Sequence, residues 1–324
     1  MKKGNTTYYI LAFFIIITSV LFCINLLLEE NNKNIKHQEE NKEKEEKNII
    51  EYKANESIRV RMHESGQIVA MDINDYLRGV LPAEMSPKYN IEALKAQAIV
   101  ARTFTYKKMS ASGEGNDADI CDDFGHCQAF YNKDTIYQIW RNKGFSEDEI
   151  LAYWDKINEA VVSTQNKVIC YNGELINAFF HASSPQKTEN VDQIWNGVSY
   201  PYLLSVDSTE DENYENRTSE VKVSFDDFET KINENKILSE NISDSDLSSI
   251  EICDYTTSGR VKNIKVGQQK ISAEKLRTII GLKSTNFTLE INDNTIVFHV
   301  IGYGHGVGMS QVRCKYLCKC WHEL

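Results

Sequence analysis

Asn74-Asp75-Tyr76-Leu77-Arg78-Gly79-Val80-Leu81-Pro82-Ala83-Glu84-Met85-Ser86-Pro87 leads into Ile91-Glu92-Ala93-Leu94-Lys95-Ala96-Gln97-Ala98-Ile99-Val100-Ala101-Arg102-Thr103. Asn74 is a good cap for a short helix from Asp75 to Val80, which the pattern stops near Pro82. Alanines crowd the second stretch, so Ile91 to Lys107 reads as a helix that can pack closely against its neighbours. Pro82 and Pro87 bracket Glu84 and predict that its carboxyl sits on a rigid turn between the two helices. Glycoside cleavage needs a carboxylic acid beside the scissile oxygen, with its pKa raised by apolar surroundings. Val80, Leu81 and Met85 are candidates for that apolar wall. Taken alone this is a weak signal, since a glutamate in a turn is more often just solvated.

Working outward, Ile58 to Ile73 alternates around Glu64-Ser65-Gly66 and predicts a β-hairpin. Ser146-Glu147-Asp148-Glu149 predicts a capping box opening a helix to about Ser163. Strands are expected at Lys167 to Tyr171, Leu175 to His181, Val261 to Val266 and Phe287 to Val300, with a helix starting at Ser272. Asp207 to Ser249 is acidic and polar and reads as a surface excursion with one or two helical pieces. No internal repeat is present. The expected class is α+β, mostly antiparallel sheet with packed helices.

At the N-terminus, Tyr8 to Leu28 is almost unbroken apolar sequence. At about 1.5 Å per residue a helix of that length spans a bilayer core of about 30 Å. Lys2 and Lys3 precede it and Glu29 and Glu30 follow, which places residues 1–7 in the cytoplasm and everything beyond Leu28 outside. A cleaved signal peptide would have a shorter apolar run ending in small residues, whereas this run ends Leu26-Leu27-Leu28. Residues 29–56 are rich in Asn, Lys, Glu and Gln and bury too little to offset their ordering entropy, so they read as a tether. A folded domain follows over 57–311. The 324 residues carry a formal net charge of -11, which argues against nucleic acid as a partner.

Cys121-Asp122-Asp123-Phe124-Gly125-His126-Cys127 puts two thiols and an imidazole in one short loop, a donor set suited to tetrahedral zinc. A disulfide and free thiols remain alternatives. His181 ends a strand before Ser183-Ser184 and reads as a cleft residue. His305 lies in Gly302-Tyr303-Gly304-His305-Gly306-Val307-Gly308, where close backbone packing makes a structural histidine the better reading. No His-Glu-x-x-His pair occurs, which argues against a zinc peptidase.

Three blocks resemble the stage II sporulation protein D family. These are Tyr76 to Met85 with Glu92 to Ala98 and Ala101-Arg102-Thr103; His181-Ala182-Ser183-Ser184 through Thr188-Glu189-Asn190 to Pro201-Tyr202-Leu203; and Gly302 to Gln311. Ser258-Gly259-Arg260-Val261, Leu276-Arg277 and Gly281-Leu282-Lys283-Ser284 add weaker support. The resemblance implies lytic transglycosylation of peptidoglycan glycan strands to 1,6-anhydro products during engulfment, with Glu84 as the acid and base. It also implies Lys95, Arg102, Thr188, Tyr202 and His181 as substrate-binding residues. For Lys95 and Arg102 a solvated helix face and a structural ion pair are nearly equal alternatives. Clostridial-type members carry zinc at a Cys-x5-Cys segment, which implies Cys121, His126 and Cys127 as ligands of one structural zinc ion. An upstream histidine expected there is missing, so the fourth ligand is open among Asp117, water and a distant histidine such as His181. The implied partners are the sporulation amidase (protein P) and membrane protein M, and the implied location is the septal or engulfing membrane, single-pass. Relatives described as amidase enhancers supply the rival reading, a glycan-binding domain that does not cut.

The family pattern breaks after Gln311. Val312-Arg313-Cys314-Lys315-Tyr316-Leu317-Cys318-Lys319-Cys320-Trp321-His322-Glu323-Leu324 stands where Tyr-Gly-Ala is expected. A reading frame shifted by one nucleotide restores that pattern, so residues 312–324 read as an atypical tail from a frameshift. If genuine, the tail should expose three thiols and lower stability.

Overall fold

Two short strands and a helix set the frame of the first lobe. The structure, a computed structural model, describes residues 49–51, 57–111, 117–184, 186–209 and 217–320. The predicted anchor (8–28) and nearly all of the tether (29–56) lie outside the described residues. Among the described residues no helix is long and apolar enough to cross a membrane. Everything described from Glu51 onward belongs to one unit, Glu51–Leu324. The class is α+β, with antiparallel sheets and packed helices.

After the short strand β1 (Ile49–Glu51), β2 (Ser57–Arg61) and β3 (Ile68–Asp72) form the expected hairpin, paired from Ser57↔Asp72 to Arg61↔Ile68. Their turn needs Gly66, whose φ is +69°. Asp72, one pair of residues before the expected Asn74, caps α1 (Ile73–Glu84) by accepting from the Asn74 amide. Unlike the expectation, α1 runs through Pro82 and makes Glu84 its last helical residue. Proline removes one hydrogen bond and crowds the preceding turn, but burial of Ile73, Tyr76, Leu77, Val80 and Leu81 on one face holds the helix together.

Helix α2 (Ile91–Ser110) packs on α1 with Ala93, Ala98 and Ala101 fully buried, as the alanine pattern predicts. The short β4 (Ile120–Cys121) joins β2 in parallel. Helices α3 (Lys133–Asn142) and α4 (Glu147–Ser163) complete this lobe, and α4 opens on the predicted reciprocal Ser146/Glu149 capping box. Strands β5 (Lys167–Tyr171) and β6 (Glu174–Leu175) pair antiparallel, so only the start of the expected Leu175–His181 strand belongs to this hairpin.

The second lobe has its own core. Strands β8 (Thr218–Ser224), β12 (Phe287–Asn292) and β13 (Thr295–Ile301) form one antiparallel sheet in the order β12-β13-β8; β9 (Glu251–Tyr255), β10 (Val261–Val266) and β11 (Gln269–Ser272) form another. The helical pieces expected within 207–249 are present, but the reading of this stretch as a surface excursion is corrected. Thr218–Ser224 pairs along the full length of β13, and α6 (Phe225–Glu234) buries Phe225, Phe228 and Ile232. Those apolar residues keep strand and helix spacing, but the acidic residues between them hide the pattern. The short helices α5 (Val191–Ile194) and α7 (Asp244–Leu247) lie before and after α6 in the chain, and α8 (Ala273–Ile280) starts on its predicted Ser272 cap.

Between the lobes, β7 (Phe180–His181) runs parallel to β14 (Met309–Ser310), and bridges join Ser183 to Tyr303 and Glu189 to Val307. The glycine-rich segment must come this close. A Cβ on Gly306 would stand 2.7 Å from the Arg260 guanidinium, and one on Gly308 would stand 2.1 Å from the Phe179 carbonyl oxygen. The chain then enters α9 (Gln311–Cys320), which packs on α2. The expectation of exposed tail thiols is corrected for Cys314 and Cys318. Both pack against the first core, and burial together with Cys318 pushes the Cys314 thiol up to about 12. Val312 is buried and its amide donates to the Ala182 carbonyl.

Candidate active site

Glu84 ends α1 with its carboxyl half-buried. Its Oε1 accepts a 2.9 Å hydrogen bond from the Ala129 amide. Burial raises its pKa above the ordinary glutamate value, and the Ala129 amide opposes this in part. A carboxyl so placed keeps its proton at a pH where a surface glutamate has lost it.

Residues 128–131 form a strap across α1. Ala129 reaches Glu84, and Phe130 stacks on Tyr76 with ring centroids 5.5 Å apart. The strap also explains Gly79: a Cβ there would fall 2.3 Å from the Phe130 ring and 2.6 Å from the Tyr131 carbonyl oxygen. Sequence reading missed the strap; its only signal was an aromatic pair directly after the Cys-His-Cys loop.

That loop anchors the strap. Cys121 sits at the end of β4, opposite Arg61, and the Asp123 carbonyl accepts from the amides of His126 (3.1 Å) and Cys127 (2.7 Å). The His126 Nδ1 lies 3.5 Å from the Cys121 Sγ and 3.7 Å from the Cys127 Sγ. All three donor atoms lie within 4.8 Å of one another. Thiolate and imidazole donors about 2.3 and about 2.0 Å from a tetrahedral ion would be about 3.5 Å apart, so this donor set fits a metal such as zinc. Neither cysteine is joined in a disulfide among the described residues. The Tyr76 hydroxyl, buried behind them, has its pKa raised first by desolvation and then by Cys127, Cys121 and Glu84, which places the loop and the carboxyl in one electrostatic neighbourhood.

The other expected residues take different places. Lys95 lies partly exposed on α2 with its ammonium 2.8 Å from Glu92. Arg102 is completely buried. It donates to the Thr164 and Val161 carbonyls and to Asn74 Oδ1, so it caps the end of α4 and ties it to α1. With no exposed surface it cannot touch a glycan; desolvation lowers its pKa to about 10. Thr188 is buried and accepts from the Val206 amide. Tyr202 is half-buried; its hydroxyl accepts from the Asn177 amide and its ring stacks on Tyr200 at 5.4 Å.

His181 is buried rather than open to a cleft, and its Nδ1–H donates to the Val307 carbonyl. His305 Nδ1 accepts from the Val307 amide. Burial lowers the pKa of both, that of His305 to about 3, so both rings are neutral. The structural reading of His305 fits this geometry. The chain thus brings Glu84 together with Cys121, His126 and Cys127, and sets Arg102, Thr188 and His181 inside the fold.

A family profile described as Stage II sporulation protein matches residues 61–171, the stretch that holds Glu84, the strap and the Cys-His-Cys loop. Stage II sporulation protein D of Bacillus subtilis is 30% identical over 76% of this chain and 68% of its own length. The protein of the same name from Bacillus amyloliquefaciens is 28% identical over the same shares. The amidase enhancer of Bacillus subtilis is 25% identical over 74% of this chain but only 37% of its own length.

Proposed function

Because this chain belongs to the stage II sporulation protein D family, we propose that it is a peptidoglycan lytic transglycosylase acting on the cell wall during sporulation. The observation that carries this reading is the half-buried carboxyl of Glu84, with one oxygen held by Ala129 and its pKa raised by burial.

One carboxyl suffices for this chemistry. Protonated Glu84 gives its proton to the glycosidic oxygen between N-acetylmuramic acid and N-acetylglucosamine, and the C1–O bond breaks. The C6 hydroxyl of the muramyl residue then attacks C1, and its proton passes to the Glu84 carboxylate. A 1,6-anhydro end forms, no water is consumed, and the acid is restored. The two-carboxylate glycosidase scheme is not needed, because the sugar supplies its own nucleophile. The Ala129 amide fixes the direction of the carboxyl without neutralising it.

Zinc on Cys121, His126 and Cys127 would pin the loop that leads into the strap, and so hold the Ala129 amide against Glu84. In this reading Lys95 and Tyr202 face the glycan, whereas Arg102, Thr188 and His181 build the frame. Residues 8–28 anchor the chain, 29–56 tether it, and 57–311 act outside the membrane beside the sporulation amidase (protein P) and membrane protein M. The similarity to an amidase enhancer favours a second reading, in which the domain binds glycan and stimulates an amidase.

The test is digestion of whole and amidase-stripped sacculi by the full chain, purified with detergent, followed by mass spectrometry of the muropeptides. Release of 1,6-anhydromuramyl ends by the wild type and their loss in Glu84→Gln supports the enzyme. Stimulation of a partner amidase that survives Glu84→Gln, with no anhydro ends from either protein, supports the enhancer.

A further inference from the structure

The Cys-His-Cys group lacks one ligand, since structural zinc sites are almost always four-coordinate. Two of the donors considered from sequence are committed elsewhere. The Asp117 carboxylate is held 2.7 Å from the Arg61 guanidinium. His181 lies in β7 against Val307, in the segment between the lobes.

We propose that His63 completes the site as the fourth ligand, giving a Cys2His2 set drawn from the β2 turn and the 121–127 loop. This rests on the metal reading above. The parallel register pairs Arg61 with Cys121, so two residues further on His63 comes beside Asp123. His63 lies just past the end of β2, in the turn of the hairpin that borders the 121–127 loop. The contacts agree. The His63 amide donates to Asp122 Oδ1 at 2.5 Å, and its Nδ1 stands 3.8 Å from Asp123 Oδ2. Asp123 is the residue whose carbonyl holds the His126 and Cys127 amides.

Access and chemistry favour the same assignment. Cys121 is buried, Cys127 half-buried and His126 exposed, so the ligand set opens outward. His63 borders that loop with its side chain 68% exposed, so no core packing holds its ring away from an ion. The neighbouring carboxylates are engaged: Asp122 Oδ1 by the His63 amide, and Asp123 Oδ1 by the Gly125 amide at 2.8 Å. A second imidazole is also a better match than a carboxylate for an ion already bound by two thiolates. A histidine on the hairpin thus replaces the upstream histidine that the 113–119 stretch lacks.

The test uses the full chain loaded with zinc or cobalt(II), comparing wild type, His63→Ala, His63→Gln, Asp123→Asn and His126→Ala. Zinc affinity is read by chelator competition, and the ligand set by the cobalt(II) absorption spectrum and zinc X-ray absorption. The expected result is a two-sulfur, two-nitrogen first shell in wild type. His63→Ala should lose one nitrogen, change the cobalt spectrum and weaken zinc at least tenfold, with metal-free melting unchanged. His63→Gln should behave likewise, and Asp123→Asn should keep both nitrogens. Weaker affinity with an unchanged spectrum would make His63 only a positioning residue and overturn the assignment. An unchanged affinity and spectrum would overturn it in favour of water. A wild-type chain that binds neither metal overturns the metal reading itself, and His63 falls with it.

Discussion

Glu84 and Glu189 are carboxyls at the centres of two regions that treat them in opposite ways. Glu189, between the lobes, is completely buried and every direction is taken. Its Oε2 receives the hydroxyls of Thr256 (2.6 Å) and Ser258, and its Oε1 the Asn190 amide at 2.8 Å. Glu84, at the end of α1, is partly open and receives one amide hydrogen bond, with its second oxygen unbonded among the described residues. Both lie in motifs of the family, yet only Glu84 keeps an oxygen with which to meet a substrate. Burial alone does not mark a catalytic carboxyl; the group must also keep an oxygen open to a substrate.

The largest expected effect is on Glu84. Glu84→Gln should cut the release of anhydro ends by about 10²- to 10⁴-fold, as expected for loss of a general acid, while the circular dichroism spectrum is retained. Glu189→Leu should do the reverse. It strands the Thr256 and Ser258 hydroxyls and the Asn190 amide, and urea unfolding should show a loss of about 3 kcal/mol with activity per folded molecule kept. Lost activity at full stability would break the comparison.

Arg102→Met sharpens it further, because Arg102 belongs to the frame despite its place in the motif. Removing its donors from the Val161 and Thr164 carbonyls should cost about 2 kcal/mol and leave activity per folded molecule unchanged. A contact with glycan would instead lower activity with stability preserved.

The smallest effect is a change in the pH dependence of stability. The folded-state pKa of Glu84 is raised, so between the ordinary glutamate value and its own the native chain holds more protons than the unfolded chain. Stability therefore falls as pH rises through that window. Glu84→Gln should remove this loss. The variant should be more stable than wild type at pH 7, by about 1 kcal/mol for each unit of the shift, with no such gain at pH 4 or below. Paired urea titrations at the two pH values read this difference.

Much of this frame was legible from local signals. The hairpin around Gly66, the alanine-rich α2, the Ser146 capping box and the Ser272 cap are all short-range patterns, and each appears where the sequence puts it. The continuation of α1 through Pro82 was not legible, because burial of Tyr76, Leu77 and Leu81 against distant residues outweighs the local break. Nor was β8, whose Val221 and Val223 are set among charged residues and gain meaning only from pairing with β13. At the site, Glu84 and the Cys-His-Cys loop were visible as residue types. Their connection through the Ala129 amide was not, since a backbone donor leaves no mark on the sequence.

The most direct test follows the Glu84 carboxyl itself. In chain carrying ¹³C-labelled glutamate, the resonance lost in Glu84→Gln identifies the group, and its chemical shift is followed against pH. The expected result is a midpoint above the ordinary glutamate range, with release of anhydro ends falling as pH rises through that midpoint. A midpoint at or below that of a solvated glutamate, or activity indifferent to it, would contradict the assignment of Glu84 as the proton carrier.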